Sequence, residues 1–484
     1  MMQAAVVRCP EFPRDLTWIN TRRPLTVADD LRGRVAVLDF WTYCCINCMH
    51  VLPVLRRVEE RFAKQPLLVI GVHSAKFISE KDPENIRLAV RRYGVVHPVV
   101  VDSEHDVWEA FAVRAWPTLV LVDAGGYVRE TISGEIDEAA LASKIEALIA
   151  EGREKGILAP GPPDIARDPE TDTTFLRFPG KVHVAGGYLF ISDSGHNRIV
   201  VADLHGRVEA VVGEGGAGAH DGPAAAASFH NPQGLASNAA VLYVADTGNH
   251  LLRAVDLQSL EVTTLAGNGR KGTGPGPIDP KAPRGIALRS PWALLHLGKQ
   301  ILIAMAGSHQ IWVYDTEKKI IGPWVGNGRE DHVDGPVAEA ALAQPSGLAQ
   351  AGRFILIADS EISSIRVIDL EDSNVKTLVG RGLFEFGDEV GPPERVMLQH
   401  PLDVAVGDGV IYVADSYNNK VKGIAFGSME TRTVFGDGGP RSLREPGGLA
   451  VADNLLYIAD TNNHRILRGD PKTGALEEIR LAGE

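Results

Sequence analysis

At 484 residues, 51 of them glycine and 29 proline, the chain is too long for one ordinary domain and too rich in turn formers for a helix-rich enzyme. Its formal charge of −13 argues against nucleic acid or an anionic membrane as a partner, since either needs a clustered basic patch to neutralise phosphates. No segment reaches the roughly 18 apolar residues that span a bilayer, and Arg8, Pro10 and Pro13 interrupt the start where a secretory signal needs an apolar run, so a soluble, cytoplasmic protein is expected.

Residues 1–23 read as an irregular lead-in in which Leu16, Trp18 and Ile19 dock on the domain that follows and Cys9 is an isolated thiol. Over residues 24–151, strand runs alternate with helical stretches: VAVLDFW, a helix through CMHVLPVLRRVEERF, LLVIGVHS, a helix around ENIRLAVRRYG, HPVVVD, a short helix near VWEAFAV, then TLVLVD, GGYVRETIS and a last helix EAALASKIEALIA. That alternation predicts an α/β sheet covered on both faces. Three of the four cysteines fall in WTYCCINC, residues 41–48, at the first strand-to-helix turn. A reducing compartment makes such a cluster catalytic, redox-sensing or metal-binding rather than a structural staple. Cys45 and Cys48 have the spacing that lets one thiolate attack a disulfide and the other resolve the mixed intermediate. The helix N-terminus favours a thiolate at Cys45. Further on, Trp116 and Pro117 open a strand, the setting in which a cis bond is tolerated.

LDFWTYCCINC and RAWPTLVLVD together resemble the thioredoxin family's strand, buried acid, aromatic pair, CxxC and cis-proline. The resemblance implies that Asp39 moves a proton to or from the resolving Cys48, and that Pro117, preceded by Trp116, lies beside the cysteines. The stretch 76–113 resembles the extra helix and strand of thioredoxin-like reductases of the cytochrome-maturation type. Two positions depart from the family: Cys44 stands where tryptophan usually precedes the first active cysteine, and Asn47 where proline often precedes the second. Both positions tune the redox potential, so the direction of exchange stays open. Cys44 reads as a thiol packed in the core, the alternative being a sulfenic-acid trap.

Residues 152–172, rich in proline, glycine and charge, read as the interdomain linker. The remainder, 173–484, is a repeat array. An apolar strand ends in a lead residue, Asp193, Asp246, Met305, Asp359, Asp415 or Asp460, followed by a polar turn and a second strand. Ten positions after the lead a second aspartate recurs as Asp203, Asp256, Asp315, Asp369 and Asp470. Glycine-rich loops and Pro-Gly entry strands complete about four short strands per unit, which fits radial repetition around a channel. The units resemble NHL repeats, and the resemblance implies a six-bladed propeller. How its ring closes is left open, because LEEIRL supplies the last unit with its own outer strand while TTFLRF, at 173–178, is available for extra pairing. The repeated aspartates are assigned to hairpin turns, where such side chains bond local backbone.

Other chemistry fits less well. GEGGAG, Gly213–Gly218, lacks the strand, helix and downstream acid of a dinucleotide site. Cys44, Cys45, Cys48 and His50 are awkwardly placed for one tetrahedral zinc, with no second CxxC or paired histidine motif. A peroxidase reading, with Thr42 assisting Cys45, lacks the proline usual before that motif, since Leu38 stands there. His73, His183, His250 and His464 read as packed or solvated. The expectation is thus an α/β thioredoxin-like domain followed by an all-β six-bladed NHL-type propeller. Its function is thiol–disulfide exchange on a protein or small-thiol disulfide, with a protein partner on the propeller face and no metal, other cofactor, nucleic acid or membrane. The competing expectation is an interaction scaffold or redox sensor with little turnover. The whole layout resembles thioredoxin-like proteins with NHL repeats.

Overall fold

The computed structural model describes residues 7–165, 174–274, 276–277, 282–437 and 442–482, and the chain divides into two compact units, 1–172 and 173–484. In the first unit the elements in chain order are β1 (Val7–Arg8), β2 (Trp18–Ile19), β3 (Val35–Trp41), α1 (Ile46–Arg61), β4 (Leu67–Ser74), α2 (Pro83–Arg92), β5 (Val99–Asp102), α3 (Asp106–Ala110), β6 (Thr118–Val122), β7 (Tyr127–Ser133) and α4 (Glu138–Glu154). They form one seven-stranded sheet in the order β1-β7-β6-β3-β4-β5-β2. The central pairs β3–β4 and β4–β5 are parallel, and β6 and β7 run antiparallel beside them.

Alternation along β3 sorts the core into two layers. Val35 and Val37 pack with Val51, Leu55 and Val58 of α1 and Leu141 and Ile145 of α4, whereas Ala36, Leu38 and Phe40 face Phe12, Trp18, Leu31 and Val107. The period of two therefore puts Asp39 on the face that α1 covers. The lead-in is more ordered than its composition predicts. Both sheet edges come from it: β2 pairs with β5 and buries Trp18 and Ile19, whereas the exposed β1, Val7 and Arg8, pairs with β7 along the backbone. Cys9 is buried there, and burial with nearby Glu11 pushes its thiol up to about 12.

The stretch read as linker also differs in its first half. Ile157–Ala159 turn back onto the first unit: Leu158 joins the α1/α4 core, Ala159 N–H donates to the Gly33 carbonyl (2.7 Å) and Arg34 Nε–H to that of Gly161 (3.2 Å). Gly156, with φ 65°, ends the helix, its N–H and that of Ile157 bonding back to the Arg153 and Gly152 carbonyls, and beyond it Leu158 and Ile165 still bury apolar surface. Residues 166–172 of that linker, and Thr173, lie outside the described residues.

The second unit is a six-bladed β-propeller, each blade a four-stranded antiparallel meander, to which blade 4 adds a short outer strand, Gly335–Pro336, beside Asn374–Val379. Blade 1 comprises Val182–Ala185, Tyr188–Asp193, Arg198–Asp203 and Val208–Val212, and blade 6 comprises Pro446–Ala452, Leu455–Asp460, Arg465–Gly469 and Leu476–Ile479. Innermost strands of all six blades line a central channel of about 340 Å³. The lead aspartates are structural, as expected, and four of them bond a side chain three residues on, but their backbone partner is not in the local turn. In five blades the lead carboxylate accepts the backbone N–H of the residue sixteen positions earlier, Arg177, His230, Ala343, Gln399 or Arg444. Its other oxygen pairs with a basic side chain on the next strand, as in Asp246–Arg253, Asp359–Arg366 and Asp415–Lys422. Blade 3 replaces both members of that pair: Met305 stands at the lead position, and Trp312, seven residues on like Arg253 and Arg366, is buried in the same apolar cluster. The second aspartates do cap local turns; Asp203, for example, accepts from His205 and Arg207 N–H.

Blades are joined by a second repeating device. Four positions after each lead, Asn197, His250, His309, Ser363, Asn419 and His464 all adopt φ of 51–57°. Asparagine and histidine are enriched in that region. Each side chain accepts a backbone N–H at the entry to the next blade, from Asn231, Ser290, Gln344, His400, Glu445 and Phe178 respectively. The last of these, Phe178 N–H to His464 Nδ1 (3.0 Å), closes the ring, with Thr461 Oγ1–H donating to the Pro179 carbonyl (2.8 Å). Leu176 is buried against Tyr457 and Ile466, and Ala482 bridges to Arg207. Closure thus needs no exchanged strand. Residues 174–178 form no strand and dock through the Leu176 side chain and the backbone groups of Arg177 and Phe178, and His250 and His464 are inter-blade acceptors, a role their surroundings in sequence do not reveal.

Candidate functional site

β3 delivers the site. Its buried run ends at Trp41, a loop of Thr42–Cys44 turns the chain, and Cys45 takes the N-cap position of α1 with extended backbone (φ −78°, ψ 118°). Cys45 is half-buried, whereas Cys48, a turn further, is buried. Both are free thiols, as are Cys44 and Cys9. Burial pushes the Cys48 thiol well above the usual range; a hydrogen bond shared with Cys45, the charge on Cys45 and the charge on Asp39 act in the same direction, against a backbone hydrogen bond from Thr42. Asp39 is fully buried, and neither carboxyl oxygen has a hydrogen-bond partner among the described residues. Desolvation raises its carboxyl to about 7, opposed by the charge on His97. The buried pair therefore couples a proton on sulfur to a proton on carboxyl.

The register of β3 with β6, Phe40 opposite Thr118, brings Pro117 to the end of β3 from which the cysteine loop departs. The Trp116–Pro117 peptide is cis. Trp116 is half-buried and packs against Trp108, ring centroids 4.5 Å apart and planes tilted by 40°. Asn47 sits in the first turn of α1 between the two cysteines. Cys44 is buried, its thiol 3.7 Å from Thr42 Oγ1, so packing in the core describes it. His50 Nδ1 lies 2.6 Å from Glu135 Oε1, and among the described residues no three His, Cys, Asp or Glu side chains are placed to share a metal ion. His73 is buried between Trp41 and Tyr43, and burial lowers it to about 3.

One residue of this site carries no signal in the sequence. Glu80, in a short 3₁₀ turn, is fully buried and accepts four hydrogen bonds: Thr42 Oγ1–H (2.7 Å), Cys44 N–H (2.9 Å), Lys76 N–H (2.9 Å) and Phe77 N–H (3.0 Å). It pins Thr42 and Cys44, two of the three loop residues before the N-cap cysteine. Each buried donor left without an acceptor costs about 1–3 kcal/mol. Glu80→Ala is accordingly expected to lower unfolding stability by roughly 3 kcal/mol or more, read as the midpoint of a urea titration, and to broaden the amide resonances of 42–45.

Fold and site together define a thioredoxin-like domain coupled to an NHL-type propeller. Comparison with known families agrees: a Thioredoxin-like model matches residues 33–128, and an NHL repeat model matches 398–424 and 443–468, in blades 5 and 6. The chain thus carries a thioredoxin-like domain and, C-terminal to it, NHL repeats. It is 42% identical over 453 residues to Protein SUPPRESSOR OF QUENCHING 1, chloroplastic, of Arabidopsis thaliana, covering 89% of this chain and 42% of that one. It is 37% identical over 462 residues to NHL repeat-containing protein 2 of Homo sapiens, covering 89% of this chain and 64% of that one. The chain therefore spans less than two thirds of either relative. Thiol-disulfide oxidoreductase YkuV of Bacillus subtilis is 24% identical over 145 residues, 29% of this chain and 94% of its own length.

Proposed function

We propose that the protein is a thiol–disulfide oxidoreductase whose CxxC site acts on a protein or small-thiol disulfide, with the propeller as a platform for recognising a protein partner. The observation that carries this reading is the asymmetry of the two thiols: Cys45 half-buried at a helix N-cap, Cys48 buried, hydrogen-bonded to it and facing the charge of Asp39. The accessible thiolate attacks a substrate disulfide, forming a Cys45–substrate bond and releasing the other substrate sulfur as thiolate. Cys48 then gives its proton to Asp39 and attacks Cys45 Sγ. The Cys45–Cys48 disulfide forms, the bond to substrate breaks with its electron pair on the substrate sulfur, and two electrons have passed from protein to substrate. Pro117 and Trp116 shape the surface beside Cys45.

A disulfide-reduction assay on the full chain tests this. Cys45→Ser is expected to abolish turnover and Cys48→Ser to halt it after one covalent step. Activity unchanged in both variants would sink the proposal and leave an interaction scaffold.

A further inference from the structure

We infer that His97 and Glu59 carry the Asp39 proton to and from solvent through a cleft beneath Pro162 and Pro163, a route that stays open while a substrate covers the cysteines. The inference rests on the exchange reading above and deepens it.

Asp39 is in register with Gly71 on β4. A Cβ at Gly71 would lie 3.0 Å from Trp41 Nε1 and 3.4 Å from His97 Nε2, so the bare glycine lets both ring nitrogens approach the strand beside Asp39. These two nitrogens and both Asp39 oxygens are buried without a hydrogen-bond partner among the described residues. Four convergent polar atoms without a partner make a site of the kind a buried water occupies, and a water bound there would bridge carboxyl and imidazole. The other nitrogen of the ring, Nδ1, is 3.2 Å from Glu59 Oε2 on α1. Glu59, Phe62, His97, Pro98, Pro162 and Pro163 line a cleft of about 260 Å³. The Glu59 side chain is 19% exposed.

An acid, an imidazole and a second acid thus lead from the reacting thiol to the cleft. The titratable groups acting on this line are Cys48 and Cys45 at the start of α1, His97 before β5, and Glu59 further along α1. An imidazole that accepts a proton at one nitrogen can release one from the other, which suits it to relay. The need arises in the resolving step. Cys48 loses its proton to Asp39 when the Cys45–substrate bond breaks, at the moment when a polypeptide substrate shields the cysteine face. Asp39 takes that proton only as a carboxylate, so any proton it already holds must first leave by a route that the bound substrate does not cover. His97 and Glu59 touch no reacting sulfur, so they act through Asp39 as positioning residues for its proton.

The test follows the pre-reduced full chain by stopped flow, with insulin as the covering substrate and a small aromatic disulfide as one that leaves the site open. His97→Gln is expected to slow release of the second insulin thiol by at least about tenfold, to displace the pH profile of that step, and to change the small disulfide much less. In a Cys48→Ser background it should leave mixed-disulfide formation unchanged. Imidazole added to His97→Ala should restore part of the rate. Glu59→Gln, at the rim, carries the same test should the His97 variants unfold, with a displaced pH profile expected. Wild-type rate and profile in the variants that fold would overturn the relay while leaving the exchange reading intact. Absence of any mixed disulfide in the wild type would overturn both.

Discussion

Arg366→Ala is expected to destabilise the propeller by about 3–5 kcal/mol, the range for removing one partner of a buried ion pair. Arg366 is fully buried, bonded to Asp359 Oδ2 (3.1 Å), Asp334 Oδ1 (2.7 Å) and the carbonyls of Ala341 and Val333. Its loss strands a buried Asp359 carboxylate, whose carboxyl burial already raises to about 6. Replacing both partners is a different experiment. Blade 3 carries Met305 and Trp312 at the paired positions and folds as a blade like the others. The double variant Asp359→Met with Arg366→Met should therefore be less destabilised than Arg366→Ala alone, since neither charge remains to be desolvated. Urea midpoints of the wild type and the two variants decide this. A double variant worse than the single would mean that the pair itself, rather than the avoidance of a lone charge, holds the blade.

The second large effect has the opposite sign. Asp39→Asn is expected to stabilise the first unit above neutral pH by about 4 kcal/mol, because a carboxyl at about 7 in the fold and about 3.9 in the unfolded chain differs by some 3 units at 1.36 kcal/mol each. Between those values the folded state holds a proton that the unfolded state releases. Stability due to Asp39 is thus full below about pH 4, declines as pH rises, and is lost above 7. The gain from Asp39→Asn should open over that window and then level off. The same variant should slow the resolving step, since Cys48 loses its proton acceptor. Retention of an unpaired carboxylate at the cost of stability is what a site selected for proton transfer would show. A gap independent of pH, measured by chemical unfolding across the window, would show that Asp39 is not held near 7.

What could be read in the sequence was whatever repeats or lies close along the chain. The strand-turn-helix around Cys45, the alternation that buries Asp39, the aromatic-proline pair at 116–117 and the blade repeat all have local periods or spacings. Contacts between distant residues left no such mark. Glu80 reaches Cys44 across 36 residues, and His97 meets Glu59 across 38, with nothing in either neighbourhood to pair them. The lead aspartates show both cases: their recurrence was legible, whereas the N–H sixteen residues upstream and the basic partner on the next strand required the fold. The half-packed linker and the buried edge strand β2 of the lead-in were hidden for another reason. Two or three apolar residues among prolines and charges are too few for periodicity, yet enough to dock on a sheet already formed.

The most direct measurement of the central claim is intact-protein mass spectrometry of the reduced Cys48→Ser chain mixed with a disulfide-bonded peptide. The account predicts one covalent adduct per chain, mapped to Cys45, removed by reductant and absent from Cys45→Ser. An adduct on Cys44 or Cys9, or none under conditions where the wild type is folded and reduced, would contradict it.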